Sequence, residues 1–371
     1  MTSAFTQAPA PFPSQSATLP PQAAAPQAWP LEWAHGRAEI QALGAMLGPL
    51  SFRLGPRRWL QVMHVAPWAD SDDALALPGV LRRMRGEWPC VPFGRTDLPP
   101  DLPPGWQAIV PDDQWAHGFG ANHHWNCEHA GSDRVSLAID YPVDSPVARI
   151  ERHVRAVLDA PALDIELVIR PRRSLRLPAG LHPTFLLPRA VGRAALELGP
   201  HEGIFSYPSH TAGAHSHLQP DRRAASLDAL AGAHGLLDLG HLPLGQDGEE
   251  LLQVRGLAQG AGAAPFSLHY KDEDARVGLW WDTRQFPDLM LWLSNRGRPE
   301  YPWNGRHVAL GAEPVNSAFD LSRVARPPAG HPLADRVGIA LEAGEPWRTR
   351  YRIAAWNGQH APASPDLQPL S

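Results

Sequence analysis

The sequence predicts an all-β protein in which two large antiparallel sheets pack face to face. Two observations carry this. Apolar residues fall in short bursts, several of them alternating with polar residues at every second position. Spread among those bursts, 41 prolines in 371 residues make long helices improbable, because each removes a backbone donor and fixes the chain. A chain of this length fills one large core or two ordinary ones.

Residues 1–28 are mostly Ala, Pro, Ser, Thr and Gln, a composition that cannot bury enough apolar surface to offset ordering entropy, and read as a disordered tail. Residues 29–360 read as one β-sandwich domain and residues 361–371 as a flexible C-terminal tail. Within the domain, Val135, Leu137, Ile139 and Tyr141 alternate with Ser136, Ala138 and Asp140, the pattern of a strand with one face covered. Leu163 to Leu167 repeats the pattern. Trp347, Thr349, Tyr351 and Ile353 alternate with Arg348, Arg350 and Arg352, which are expected to face water. Val277 to Trp281 and Leu289 to Leu293 are continuous apolar runs, as expected of strands covered on both faces. Only Arg223 to Leu230 has the Ala/Leu content of a helix, and it is short. No solenoid or propeller repeat is evident.

The formal charge of −5 and a pI near 6.4 argue against a nucleic-acid or anionic-membrane partner, which needs a concentrated basic surface. The one basic knot, Arg170-Pro171-Arg172-Arg173, reads as a solvated strand end. The N-terminus lacks the basic start and apolar core of an export signal, and no stretch approaches the ~18 apolar residues of a spanning helix. A soluble, cytoplasmic protein is expected. Cys90 and Cys127 are too few for a disulfide framework, although one bridge stays open.

Three distant segments carry candidate chemistry: His117-Gly118-Phe119, Gly180-Leu181-His182-Pro183-Thr184-Phe185 and Ala312-Glu313-Pro314. Two histidines and a carboxylate are the usual inventory for moving protons on and off a sugar hemiacetal, since each can be tuned toward the working pH by burial and neighbours. Pro314 is expected to end a strand and leave Glu313 projecting into a groove; the alternative for Glu313 is an ion pair with an arginine such as Arg306. Pro183 keeps His182 in extended backbone.

In order and setting, these segments resemble the aldose 1-epimerase, or galactose mutarotase-like, family. The resemblance implies a β-supersandwich. It also implies Glu313 as the base that takes the anomeric hydroxyl proton, His182 as the acid that protonates the ring oxygen, and His117 as the residue that orients the sugar. Thr184 stands where an aromatic residue is common in the family. His-Gly-Phe resembles the hexose-phosphate branch, but Gly120-Ala121-Asn122-His123-His124 follows where an arginine is usual, which argues against a phosphorylated substrate. Arg95, in Pro92-Phe93-Gly94-Arg95, resembles a Pro-Phe-x-Arg type segment of the family, which implies a contact to sugar hydroxyls or to a charged group, and Asp247 is matched to a sugar-binding aspartate.

Trp88, Trp125, Trp281 and Trp303 lie beside these segments and are candidates for stacking on a sugar ring. His117, His123, His124, Cys127 and His129 crowd one stretch and His210, His215 and His217 another; they suit zinc by type but match neither a zinc finger nor a His-Glu-x-x-His site, so no metal or cofactor is expected. Neither a phosphate-binding glycine loop nor a serine-hydrolase elbow is found. The expected partner is a monosaccharide, and the expected assembly a monomer or homodimer. Alternatives are a noncatalytic carbohydrate-binding or regulatory protein on the same fold and a polysaccharide lyase.

Overall fold

The computed structural model describes residues 28–210, 215–258 and 264–367. The N-terminal Ala/Pro-rich stretch, residues 1–27, lies outside the described residues. The chain is nearly all β, and its strand pairs are antiparallel.

Nine strands form one sheet, in the order His241–Leu242, Ala194–Leu198, Phe266–Tyr270, Ala275–Trp281, Trp347–Asn357, Ala162–Pro171, Val147–Ala156, Arg134–Asp140 and Asn126–Ala130. The period-two patterns map onto it. Leu137, Ile165, Leu167, Tyr351 and Ile353 all enter the core cluster shared with the second sheet. The opposite face differs from expectation, for Ser136 and Ala138 are buried and the arginines of Trp347–Asn357 are only partly exposed. Long charged side chains roof this face. Arg352 and Arg350 pair with Asp164, Arg348 with Glu166, and Arg149 with Glu128, Asp140 and Glu151, and the aliphatic stems of such residues cover the small side chains beneath.

The second sheet runs Arg223–Ala224, Gly203–Ser206, Gly248–Arg255, Asp288–Asn295, Val308–Asn316, Ala179–Leu181 and Pro89–Cys90, with Thr184–Leu186 also paired to Val308–Asn316. Both of its faces are covered. Leu289, Leu291, Leu293, Leu310 and Ala312 pack toward the nine-stranded sheet. The alternate residues Met290, Trp292 and Val315 join a second cluster with Trp88, Phe93, Tyr207, Trp303 and Phe319, contributed largely by connecting segments. That second cluster explains the unbroken apolar runs. A separate four-stranded sheet, Ala28–Trp33, Gly36–Gln41, Leu47–Gly55 and Arg58–Gln61, feeds Leu31, Ile40, Leu50 and Phe52 into the inter-sheet core.

Arg223–Leu230, the one segment with helix-like composition, does not form a helix. Arg223–Ala224 pairs with Gly203–Ser206, and Leu230–Gly232 forms a hairpin with Gly235–Leu237. Eight residues, even rich in Ala and Leu, are too few to offset the cost of helix nucleation when strand partners are at hand. At the other end, Ala361 and Leu367 of the expected tail pack on the cluster of Trp280, Ala354 and Trp356. Cys90 and Cys127 are both free thiols. No described helix is long and apolar enough to cross a membrane.

Candidate active site

Strand register assembles the site. Gly180 pairs with Val315 on one side of Pro183 and Thr184 with Gly311 on the other, and the same register carried through the gap sets His182 directly opposite Glu313. Directly opposed residues in an antiparallel pair hold their side chains close on one face. The result is a His182 Nε2 to Glu313 Oε1 separation of 3.4 Å. Pro183 interrupts the strand, while its carbonyl still accepts from the Ala312 N–H at 2.8 Å.

Glu313 is not at a strand end as its proline suggested. It lies inside Val308–Asn316, whose ladder to Asp288–Asn295 runs on through Pro314 and Val315. Its carboxyl group contacts His182, not Arg306. Gly311, two residues earlier on the same face, makes room for it: a Cβ there would stand 2.7 Å from Glu313 Oε1.

His182 is held on several sides. Trp88 stacks on it with centroids 4.1 Å apart and planes 19° from parallel, His117 meets it edge-on at 5.0 Å, and Trp292 edge-on at 6.0 Å. Its backbone N–H donates to the Trp88 carbonyl, and the Thr184 hydroxyl lies 3.3 Å from its Nδ1. A hydroxyl donating to Nδ1 leaves the ring proton on Nε2, the nitrogen that faces Glu313.

His117 comes in on a left-handed turn, with φ 58°, followed by Gly118 at φ 86°. A side chain on Gly118 would meet the Val91 carbonyl at 2.1 Å, so only glycine lets the turn close against that strand. The His117 N–H donates to the Gly94 carbonyl and the Gly118 N–H to that of Trp115. Arg323 donates to both of these carbonyls and pairs with Asp113, clamping the turn. His117 Nδ1 is buried and has no partner among the described residues.

Burial sets the electrostatics. It pushes the Glu313 carboxyl well above the usual carboxylate range, and the negative charge of Asp320 adds to the effect. It also drives the His182 imidazole well below the ordinary histidine range, with His117 adding to the shift. His117 falls to about 4, first through burial and then through Arg323. Glu313 and His182 are 2% and 5% exposed; at rest they form a neutral acid beside a neutral imidazole.

Asp320, whose charge acts on Glu313 through space, is tied to Arg95. The Tyr207 hydroxyl donates to Asp320 Oδ1 at 2.7 Å and accepts from Arg95 Nη1 at 3.2 Å, and the Arg95 N–H donates to the Asp320 carbonyl. Arg95 also pairs with Asp97. Beyond Trp292 lies a second histidine pair. His307 stacks on Trp292 at 5.3 Å, and His64 meets His307 edge-on at 4.5 Å.

Thus the structure brings Glu313, His182, His117 and Trp88 together, while Arg95 is held by Tyr207, Asp320 and Asp97. Trp303 stands one ring further out, edge-on to Trp292 at 5.9 Å with Arg298 over its face. Trp125 supports the His117 turn from below, donating to the Gly120 carbonyl. Trp281, on the nine-stranded sheet, faces the inter-sheet core and donates to the Phe286 carbonyl, whereas Glu313 shares with Val315 the opposite face of the second sheet. Asp247 is exposed and paired with Arg296 at 2.6 Å, which satisfies it without a ligand. Tyr207, Asp320 and Trp292 escaped the sequence reading; only Trp292 had a signal, as the bulky aromatic inside the Leu289 to Leu293 run. Among the described residues no three His, Cys, Asp or Glu side chains are grouped so as to hold a metal ion.

No family model matches the chain, and no curated protein matches it in sequence. Solved structures do match. A galactose mutarotase related enzyme from Lactobacillus acidophilus is 16% identical, with 91% of this chain and 99% of that one covered and a TM-score of 0.55. The GalM/aldose epimerase homologue from C. elegans is 13% identical, with 90% and 99% covered and a TM-score of 0.58. A galactose mutarotase-like protein from Lactobacillus casei is 13% identical, with 88% and 99% covered and a TM-score of 0.55. With its two large antiparallel sheets and coverage of nearly the whole length of these proteins, the chain has the galactose mutarotase-like fold.

Proposed function

We propose that this protein is an aldose 1-epimerase that interconverts the anomers of a free monosaccharide in the cytoplasm by acid–base chemistry alone. The observation that carries the reading is the in-register opposition of His182 and Glu313, 3.4 Å apart on a covered face of the sheet. In the working form the shared proton sits on His182. Glu313 removes the anomeric hydroxyl proton as His182 gives its proton to the ring oxygen, the C1–O5 bond breaks, and an open-chain aldehyde remains. After rotation about C1–C2 the steps reverse, so each group regains its starting state and no proton is gained or lost. The neutral resting pair suits this exchange, because moving one proton across it creates opposite charges side by side. His117 orients the sugar, Arg95 and Asp320 contact its hydroxyls, and Trp88 and Trp292 hold His182 in place.

Magnetisation-transfer NMR on a panel of aldoses, comparing the intact protein with Glu313→Gln, tests the reading. Exchange above buffer that falls by about 10²–10⁴-fold in the variant supports it. The near-complete burial of Glu313 and His182 favours one rival, a sugar-binding or regulatory protein without turnover. Saturable sugar binding with no accelerated exchange would select that rival.

A further inference from the structure

A pocket includes in its lining Arg323 and Asp113, the pair that clamps the His117 turn. It is a cavity of about 640 Å³, a size that suits a small organic ligand, and none of Glu313, His182 or His117 lines it. Ile109, Leu177, Val337 and several prolines supply its apolar walls, while Arg176, Arg323, Arg326 and Arg336 stand against Asp112 and Asp113 among its charged lining groups.

Two of those arginines are already committed. Arg323 holds Asp113 and the carbonyls of Trp115 and Gly94, and Arg336 holds Asp288 and Asp335. The other two are not. Arg176 donates only to the Gly338 carbonyl, at 3.2 Å, and the Arg326 guanidinium has no hydrogen-bond or ion-pair partner among the described residues. A guanidinium offers five N–H donors in a planar fork suited to carboxylate or phosphate oxygens. Asp113 is neutralised by Arg323, so only the exposed Asp112 opposes an incoming anion.

We infer that this cavity is a second ligand site, distinct from the His182–Glu313 pair, for a small organic anion with one carboxylate or phosphate head on a compact apolar body. The head lies between Arg176 and Arg326 and the body against Ile109, Leu177 and Val337. Such a ligand rests against Arg323, whose two carbonyl acceptors are those that fix His117 and Gly118.

Isothermal titration of the full chain with phenyl phosphate tests this, with benzoate as the carboxylate probe and benzyl alcohol as the neutral one. Expected is saturable one-to-one binding of both anions with Kd on the order of 1 mM or tighter and none of the alcohol. Arg176→Gln and Arg326→Gln should each weaken it by about tenfold or more, with circular dichroism confirming the fold of these exposed-site variants. Glu313→Gln should bind as the intact protein does. The inference is overturned by absence of saturable binding to either anion, by equal binding of benzyl alcohol, by affinity unchanged in both arginine variants, or by loss of binding in Glu313→Gln.

Discussion

Gly311 and Glu313 share one face of one strand, and the carboxylate occupies the space a side chain on Gly311 would need: Oε1 lies 2.7 Å from the ideal Cβ position. The glycine is therefore part of how the carboxylate is aimed. Gly311→Ala should displace Glu313 by about 1 Å and lower anomer exchange by about 10²-fold. The thermal midpoint should move far less than the rate, as melting curves beside the NMR assay would show.

Thr184 offers a test of the His182 tautomer. Its hydroxyl, 3.3 Å from Nδ1, favours the form with the proton on Nε2. Thr184→Val removes that group at nearly constant volume and should lower kcat by about tenfold or more, whereas Thr184→Ser should restore most of it. An unchanged kcat in the valine variant would remove Thr184 from the mechanism.

His64 predicts an acid sensitivity. Burial lowers it from 6.5 to about 4, and neither ring nitrogen has a partner among the described residues. Between those pH values the unfolded chain takes up a proton that the folded chain refuses. Stability from this group is thus complete above pH 6.5 and is lost as pH falls toward 4, by about 3 kcal/mol in all. Urea unfolding of the wild type and His64→Leu at several pH values in this window should show a shallower decline in the variant.

Glu87, Arg152 and Tyr351 form a fully buried polar cluster between the sheets. Arg152 is ion-paired with Glu87 and donates to the Ala45 carbonyl at 2.8 Å, while the Tyr351 hydroxyl donates to Glu87 at 2.8 Å. Removing one partner strands the other charge in the core. Arg152→Ala should cost about 3–5 kcal/mol in denaturant unfolding. Because Glu87 directly precedes Trp88, the ring stacked on His182, the variant's residual folded fraction should also exchange anomers more slowly.

Strand patterning made the core legible in the sequence, since Leu289 to Leu293 and Val277 to Trp281 carry their burial in their composition. The chemistry of His182 and Glu313 was legible as residue types in recognisable segments. Their distance was not, because it comes from a register set by Gly180 with Val315 and Thr184 with Gly311, pairs separated by more than a hundred residues. Pro314 misled for a related reason: a proline marks a strand end only on local evidence, and here the ladder to Asp288–Asn295 continues past it. Asp320 and Tyr207 carried no local pattern at all. Their part follows from the three-way contact with Arg95, which only the folded chain creates.

Strand Trp347–Asn357 is the last in sequence among the described residues yet stands at the middle of the nine-stranded sheet, between Ala275–Trp281 and Ala162–Pro171. Until it is made, the sheet exists as two separate flaps, each with an open hydrogen-bonding edge of the kind that invites mispairing. A chain ending shortly before Trp347 would keep nearly all its strands and lack a continuous nine-stranded sheet.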